Sequence, residues 1–196
     1  GLIRLNLIES GGQINLDSQR SIPSAVISSC PFASIRGSIR AMEVIIQPNQ
    51  EAAASLVARI VAHDLRANPH LVLGLATGST MECVYRHLVR LHQTEKLDFS
   101  LCSTFNLDEY VGLFPSDPNS YRHYMDHHLF NQVNIEPRNT HLPNGLAADL
   151  DAECRKYESL MQRFGGIDLQ LLGVGGDGRD VNRDVVGVGA LGGVVL

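Results

Sequence analysis

Hydrophobic and polar positions along this chain separate short apolar runs from longer amphipathic segments. The apolar runs are typical of buried strands and lie at 42–46, 70–75, 99–105 and 167–174. Helical spacing of apolar residues predicts helices over 50–68, 80–93, about 118–130 and about 148–163. Strands that alternate with helices predict an α/β fold, with a Rossmann-like, doubly wound, mainly parallel sheet and helices on both faces.

Composition divides the chain into three parts. Residues 1–41 are predicted to be an N-terminal extension of uncertain structure, because Glu9–Ser38 is rich in Ser, Gly, Gln and Pro. An added hairpin is the alternative, since Leu2–Ile8 alternates like a strand. Residues 42–178 carry the strand and helix pattern and form the predicted domain. Residues 179–196 form a divergent tail, whose last part has too many glycines for a good helix.

Two adjacent carboxylates, Asp108 and Glu109, follow the apolar run that ends near Phe105. Ligands of open parallel sheets bind outside the carboxyl ends of the strands, and carboxylates placed there are candidates for proton transfer. The alternative is a helix cap, because acidic residues are also favoured in the first turn of a helix.

A second candidate segment is the hydroxyl-rich turn Thr77-Gly78-Ser79-Thr80, which stands between an apolar strand and a helical pattern. In a strand–turn–helix unit, backbone N–H groups at the helix N-terminus point at an anion, and hydroxyl groups add further donors. The turn therefore predicts a phosphate site. An ordinary helix N-cap is the alternative, since Ser and Thr also cap helices.

Five segments together resemble the glucosamine-6-phosphate deaminase (glucosamine-6-phosphate isomerase) family: LGLATGST, TFNLDEYVGL, the Pro118–Tyr121 turn, HLPNG and GGIDLQLLGVGGDG. The resemblance implies conversion of glucosamine 6-phosphate and water to fructose 6-phosphate and ammonia, in N-acetylglucosamine catabolism. It implies no metal or organic cofactor, because the carbonyl of the substrate makes its C2 proton acidic. The HLPNG segment is predicted to form a turn.

The resemblance also implies roles for individual residues. Asp108 takes the position of the proton shuttle between C2 and C1, and Asp177 that of the aspartate that works in ring opening. Thr77, Gly78, Ser79 and Thr80 match the phosphate turn. Glu109 is also expected to bind substrate. Its other expected role is to shape the site.

The end of the chain departs from the family pattern. Arg179 stands where the family has a catalytic His, and arginine stays protonated and cannot act as a base. Asp184 aligns by count with the catalytic Glu of the family, in surroundings that do not match, so both positions stay uncertain. A truncated or frame-shifted C-terminus is the favoured explanation, and a divergent short form is the alternative. We therefore expect little or no deaminase turnover.

Charge and cysteine usage exclude several partners. The net charge of −5 offers no basic footprint for nucleic acid, and no apolar run is long enough for a membrane span. Four widely spaced cysteines without a zinc pattern fit a reducing cytosol. His123, His127 and His128 cluster, but without the rest of a ligand set they predict no metal. The expected partner is a small-molecule sugar phosphate, in the cytoplasm.

The sequence leaves two alternative functions and the oligomeric state open. One alternative function is a non-catalytic sugar-phosphate-binding protein, and another is a 6-phosphogluconolactonase-like hydrolase. Assembly into a homo-oligomer is also left open.

Overall fold

The first helix, α1 (Gln50–Ala67), shows how local sequence sets the helix boundaries of this fold. In the computed structural model, which describes residues 45–173, 185–187 and 194–195, the side chain of Asn49 accepts a hydrogen bond from the amide of Ala52 and caps α1. One face of α1 is buried at helical spacing, as the apolar pattern predicts.

The remaining elements alternate between strands and helices along most of the chain. In order they are β1 (Val72–Leu75), α2 (Ser79–Glu95), β2 (Ser103–Asn106), β3 (Asp108–Tyr110), α3 (Tyr121–His128), β4 (Thr140–His141), α4 (Leu150–Arg163), β5 (Leu169–Gln170), β6 (Val185–Gly187) and β7 (Val194–Val195). Two 3₁₀ turns, Phe130–Gln132 and Pro137–Asn139, lie between α3 and β4. None of the helices in the described part of the chain is both long and apolar enough to cross a bilayer.

Five strands form one parallel sheet in the order β4-β2-β1-β5-β7. Side chains alternate between the two faces of a strand. Leu73 and Leu75 pack in the same core as α1 and α2, whereas Val72 and Phe105 pack with α4. Helices therefore cover both faces, and the predicted doubly wound α/β fold is confirmed.

Some predicted boundaries differ from the structure. The strand predicted at 42–46 is wrong where the structure describes it, because Ile45 and Ile46 have no regular structure and Ile46 is 82% exposed. An apolar run forms a strand only where a partner strand accepts its hydrogen bonds. The strand predicted at 99–105 begins at Ser103, since Phe99 and Cys102 are buried in the preceding loop. The predicted extension over residues 1–41 lies outside the described residues.

The strand β3 is a feature that the sequence did not predict. Only Leu107 separates it from β2, and it pairs antiparallel with β6, so that Asp108 lies opposite Gly187. Residues 185–187 and 194–195 of the predicted tail are thus strands, the second of which extends the parallel sheet beside β5.

Candidate active site

The carboxyl ends of β1 and β2 meet at one edge of the sheet. Their register places Leu75 beside Asn106, and the chain continues from these residues into the Thr77–Thr80 turn and into Asp108 respectively. Two of the segments predicted to carry chemistry therefore leave the sheet side by side, where ligands of open α/β sheets bind.

The Thr77–Thr80 turn leaves the N-terminus of α2 open. Gly78 caps α2 with φ +114°, a backbone conformation that favours glycine, and it offers no side chain to bond the first helical amides. The other α-helices of the described ranges are capped by the side chains of Asn49, Ser120 and Asp149. The first amides of α2 are thus oriented as an anion site requires.

Two tyrosine hydroxyls donate hydrogen bonds to backbone carbonyls in and next to this turn. The Tyr124 hydroxyl donates to the carbonyl of Gly78 at 2.8 Å, and the Tyr85 hydroxyl donates to the carbonyl of Ala76. Burial raises the pKa of Tyr85 well above its usual value, with a further contribution from Tyr124. Both phenols therefore stay protonated and act as donors to the turn at neutral pH.

Tyr121 connects the turn to Asp108. Burial raises the pKa of the Tyr121 phenol, and a hydrogen bond with Tyr110 and the charge of Asp108 raise it further, while a side-chain hydrogen bond with Thr77 lowers it. The structure thus brings Thr77, Tyr121 and Asp108 together. Asp108 itself is half-buried on β3.

Glu109 points away from this group and into the protein. Its side chain is 4% exposed, and its two oxygens accept hydrogen bonds from the amides of Tyr110, Tyr121 and Arg122 at 2.8–2.9 Å. These contacts are at odds with the prediction that Glu109 binds substrate, and they favour its other expected role, the shaping of the site. The alternative role given for the two acidic residues, a helix cap, describes Glu109. The helix that it caps is α3, which begins twelve residues after it.

An open cleft of about 390 Å³ lies next to the turn. Its lining is mainly aromatic and polar: Tyr110, Leu113, Pro118, Asn119, Ser120, Tyr121 and Tyr124. The rings of Tyr110 and Tyr121 lie 4.8 Å apart. Sequence reasoning missed both Tyr121 and Tyr124 as site residues, although Ser120 is a recognisable N-cap signal for the helix that carries them.

The HLPNG segment packs against β3, which contributes Tyr110 to the cleft lining. Asn144 accepts a hydrogen bond from the amide of Leu146, which confirms the predicted turn. Gly145 packs against β3 so closely that an added Cβ would lie 2.1 Å from the carbonyl oxygen of Tyr110. Its own carbonyl accepts from the amide of Gly112 at 2.8 Å.

Three predicted site residues, Asp177, Arg179 and Asp184, lie outside the described residues. Whether Asp177 faces Asp108 stays a prediction. Over the ranges that are described, no group of three His, Cys, Asp or Glu side chains is arranged to hold a metal ion. Burial lowers the pKa of His128, the most buried member of the histidine cluster.

Comparison with known proteins links these features to one family. A family model described as glucosamine-6-phosphate isomerases/6-phosphogluconolactonase matches residues 47–179. The chain is 50% identical over 137 residues to the glucosamine-6-phosphate deaminase of Thermoanaerobacter sp. (strain X514), covering 70% of this chain and 54% of that protein. For glucosamine-6-phosphate deaminase 1 of Bacillus subtilis (strain 168), identity is 48% and coverage is 70% and 57%.

Solved structures give the same relationship. A monomeric glucosamine-6-phosphate deaminase is 48% identical, with a TM-score of 0.67 and coverage of 68% of this chain and 56% of that one. The 6-phosphogluconolactonase of Thermotoga maritima is 21% identical, with a TM-score of 0.57 over 69% of this chain and 60% of that one, so it shares the fold alone. The chain spans about half the length of the curated relatives it matches.

Proposed function

Since this chain belongs to the family of glucosamine-6-phosphate isomerases and 6-phosphogluconolactonases, we propose that its site serves an aminosugar-phosphate deaminase/isomerase. The proposed reaction converts glucosamine 6-phosphate and water to fructose 6-phosphate and ammonia. One observation carries the proposal: Asp108 and the uncapped N-terminus of α2 follow two neighbouring strands that end at the same edge of the sheet.

In the proposed reaction, the Thr77–Thr80 turn binds the phosphate through the first amides of α2 and the hydroxyl groups of the turn. Asp108 takes the proton from C2 of the open-chain aldose and returns it to C1, while the C1 oxygen takes a proton from the ammonium group on C2, which leaves an iminium group at C2. Water adds to that iminium group and ammonia leaves, giving the ketose. A positioned carboxylate is a sufficient base because the neighbouring carbonyl acidifies the C2 proton, so the proposal includes no cofactor.

Ring opening is the step of the proposed reaction that we expect to be slow in this chain. The resemblance gives it to Asp177 together with a His, and Arg179 occupies the position of that His. A guanidinium group cannot accept the proton. We therefore expect the proton shuttle of Asp108 to persist in this chain while turnover of the closed-ring aminosugar is slow.

Two other functions compete with this one. A sugar-phosphate-binding protein without turnover is supported by the combination of an open phosphate turn and Arg179 in the ring-opening position. A 6-phosphogluconolactonase-like hydrolase is supported by less, since the 6-phosphogluconolactonase of Thermotoga maritima shares 21% identity with this chain. For all three, we propose a cytoplasmic protein whose partner is a small-molecule sugar phosphate, and assembly into a homo-oligomer remains to be measured.

Exchange of the C1 proton tests the proposed shuttle without requiring ring opening by the protein, because some fructose 6-phosphate is always open-chain. The chain is incubated with fructose 6-phosphate in D₂O, and deuterium at C1 is followed by NMR. We expect slow exchange that Asp108→Asn abolishes and that Asp151→Asn, at an exposed carboxylate on α4, leaves unchanged.

Two further assays separate the alternatives. Binding of fructose 6-phosphate without C1 exchange would indicate the non-catalytic protein. Hydrolysis of 6-phosphogluconolactone well above its spontaneous rate would indicate the hydrolase. Absence of both binding and exchange would overturn the proposed function.

A further inference from the structure

We infer that Glu109 is a positioning residue, whose buried carboxylate joins the strand that carries Asp108 to the first turn of α3. For its consequence in catalysis, this inference rests on the proposed function. The contacts that carry it are independent of that function, because they involve only the protein.

One carboxylate accepts three backbone hydrogen bonds. Its Oε1 accepts from the amides of Tyr110 and Tyr121, both at 2.8 Å, and its Oε2 accepts from the amide of Arg122 at 2.9 Å. The first amide belongs to β3 and the other two belong to α3. A single side chain therefore closes both ends of the loop between these elements, which includes several residues of the cleft lining.

The same contacts complete the N-terminus of α3. The first four amides of a helix have no partner inside it. Here Glu109 accepts from the amides of Tyr121 and Arg122, and the Ser120 hydroxyl accepts from the amide of His123. The remaining amide, that of Ser120 itself, donates to the carbonyl of Asp117. A negative charge at this end is also favoured by the helix dipole. The amides at the start of α3 are thus occupied, whereas α2 begins at a glycine and has no side-chain cap.

The backbone that Glu109 fixes sets the direction of two site residues. Successive side chains of a strand point to opposite faces, and β3 shows this by burying Glu109 while Asp108 and Tyr110 stay half-buried. The amide of Tyr121 donates the second of these bonds to Glu109. The same helix is tied to the phosphate turn, because the Tyr124 hydroxyl donates to the carbonyl of Gly78 at 2.8 Å. The carboxylate of Glu109 thus fixes Asp108 relative to the phosphate turn.

Glu109 does this without a cationic side chain. Arg122, the nearest arginine along the chain, directs its guanidinium to Asp126 and Thr140 instead. No ion pair with Glu109 is formed among the described residues. The inference therefore concerns the two acceptor oxygens of the Glu109 side chain. Substitutions can remove one of these oxygens or both.

The test compares Glu109→Gln with Glu109→Ala in the 196-residue chain. A glutamine keeps one acceptor oxygen for Tyr110 and Tyr121 and places an NH₂ group against the amide of Arg122, whereas alanine removes all three bonds. We expect hydrogen exchange at Arg122 alone to rise about tenfold or more in the glutamine variant, and exchange at all three amides to rise in the alanine variant. Asp149→Ala, which removes the side-chain cap of α4, serves as the control and should change none of the three.

Two readouts distinguish positioning from general support of the fold. The NMR signals of the Asp108 carboxyl and the Tyr121 ring should shift in both Glu109 variants and stay in place in the control. With fructose 6-phosphate, the rate of C1 exchange should fall about tenfold or more in the glutamine variant, as loss of an aligned base predicts, while the affinity for the sugar phosphate changes less than threefold.

The outcomes separate this inference from the proposed function. A glutamine variant whose three amides and Asp108 signal match the unsubstituted chain would overturn the inference, as would a loss of affinity larger than the loss of exchange rate. If the unsubstituted chain catalyses no C1 exchange, the proposed function fails, and the amide and Asp108 signals still decide the role of Glu109. If the alanine variant does not fold, the glutamine variant and the control decide it.

Discussion

The hydroxyl of Tyr124 donates a 2.8 Å hydrogen bond to the carbonyl of Gly78, and thereby ties α3 to the cap of α2. Tyr124 also lines the cleft, and its ring meets that of Tyr85 edge-on at 6.4 Å. The wall of the cleft and the phosphate turn are thus parts of one hydrogen-bonded unit.

Tyr124→Phe is expected to loosen that unit while it keeps the ring contacts. The loss of one hydrogen bond should lower the free energy of unfolding by about 1 kcal/mol and weaken binding of inorganic phosphate several-fold. Urea unfolding and phosphate titration by NMR measure the two effects. Ser159→Ala, which removes a hydroxyl bonded within α4, should leave phosphate binding unchanged. Equal binding by both variants would contradict the bracing role of Tyr124.

Gly78→Ala is expected to disturb the turn through the backbone. Gly78 has φ +114°, and an added Cβ would have no atom of the described part of the chain within 4 Å, so the penalty comes from the conformation and not from a clash. Such strain costs about 1–3 kcal/mol, and relief of it would turn the first amides of α2 away from the anion. Gly165→Ala provides the matched control, since Gly165 has φ +87° after α4 with equally open space. Both variants should lose stability, but only Gly78→Ala should lose phosphate binding.

Gly145→Ala is expected to act on β3 by direct contact. An added Cβ would lie 2.1 Å from the carbonyl oxygen of Tyr110, so the strand or the HLPNG turn must move. Overpacking of this kind costs about 1–3 kcal/mol, and the movement should shift the NMR signals of Tyr110 and Asp108. At Gly173 an added Cβ meets no atom of the described residues within 4 Å, so Gly173→Ala is the control. Unchanged Asp108 signals in Gly145→Ala would contradict the support assigned to this turn.

Stability is expected to depend on pH through His141. Burial, and secondarily the charge of Arg122, lower the pKa of its imidazole. Its ring stacks on Phe105 at 4.6 Å, and its buried Nε2 has no hydrogen-bond partner in the described part of the chain. The unfolded chain therefore takes up a proton at higher pH than the folded one, so this contribution to stability is full above a pH of about 6.5 and declines below it.

Urea unfolding at several pH values checks this dependence. His141→Gln should flatten the decline below a pH of about 6.5. His128→Gln should flatten it as well, because burial also lowers the pKa of His128. Ser159→Ala, which removes a hydroxyl bonded within α4, should leave the slope as it is. A slope that is the same with and without His141 would show that its protonation does not destabilise the folded state.

The sequence predicted the parts of this fold that depend on local signals. The boundaries of α1 follow from the Asn49 cap and from apolar residues at helical spacing. β1 lies within a buried apolar run, and β2 is the buried end of the segment predicted at 99–105. The roles of Glu109 and Tyr121 depend on partners that are distant along the chain. Glu109 accepts hydrogen bonds from amides that lie up to thirteen residues away. In sequence, a pair of acidic residues after a strand is the same whether its side chains cap a helix or face a ligand. Tyr121 reaches Thr77 only after α3 has packed beside α2, which no local pattern indicates.

The last prediction concerns turnover of glucosamine 6-phosphate. We expect the 196-residue chain to release little or no ammonia, because Arg179 replaces the ring-opening His and the segment up to Asp184 does not match the family pattern. Loss of one acid/base group costs about a hundredfold to ten-thousandfold in rate, and the unmatched segment would still be present after a single substitution at Arg179. Arg179→His alone should therefore fail to restore activity, whereas a family-like segment after Gly178 should restore it. Ammonia release at the rate of a full-length relative would show that another residue of this chain opens the ring.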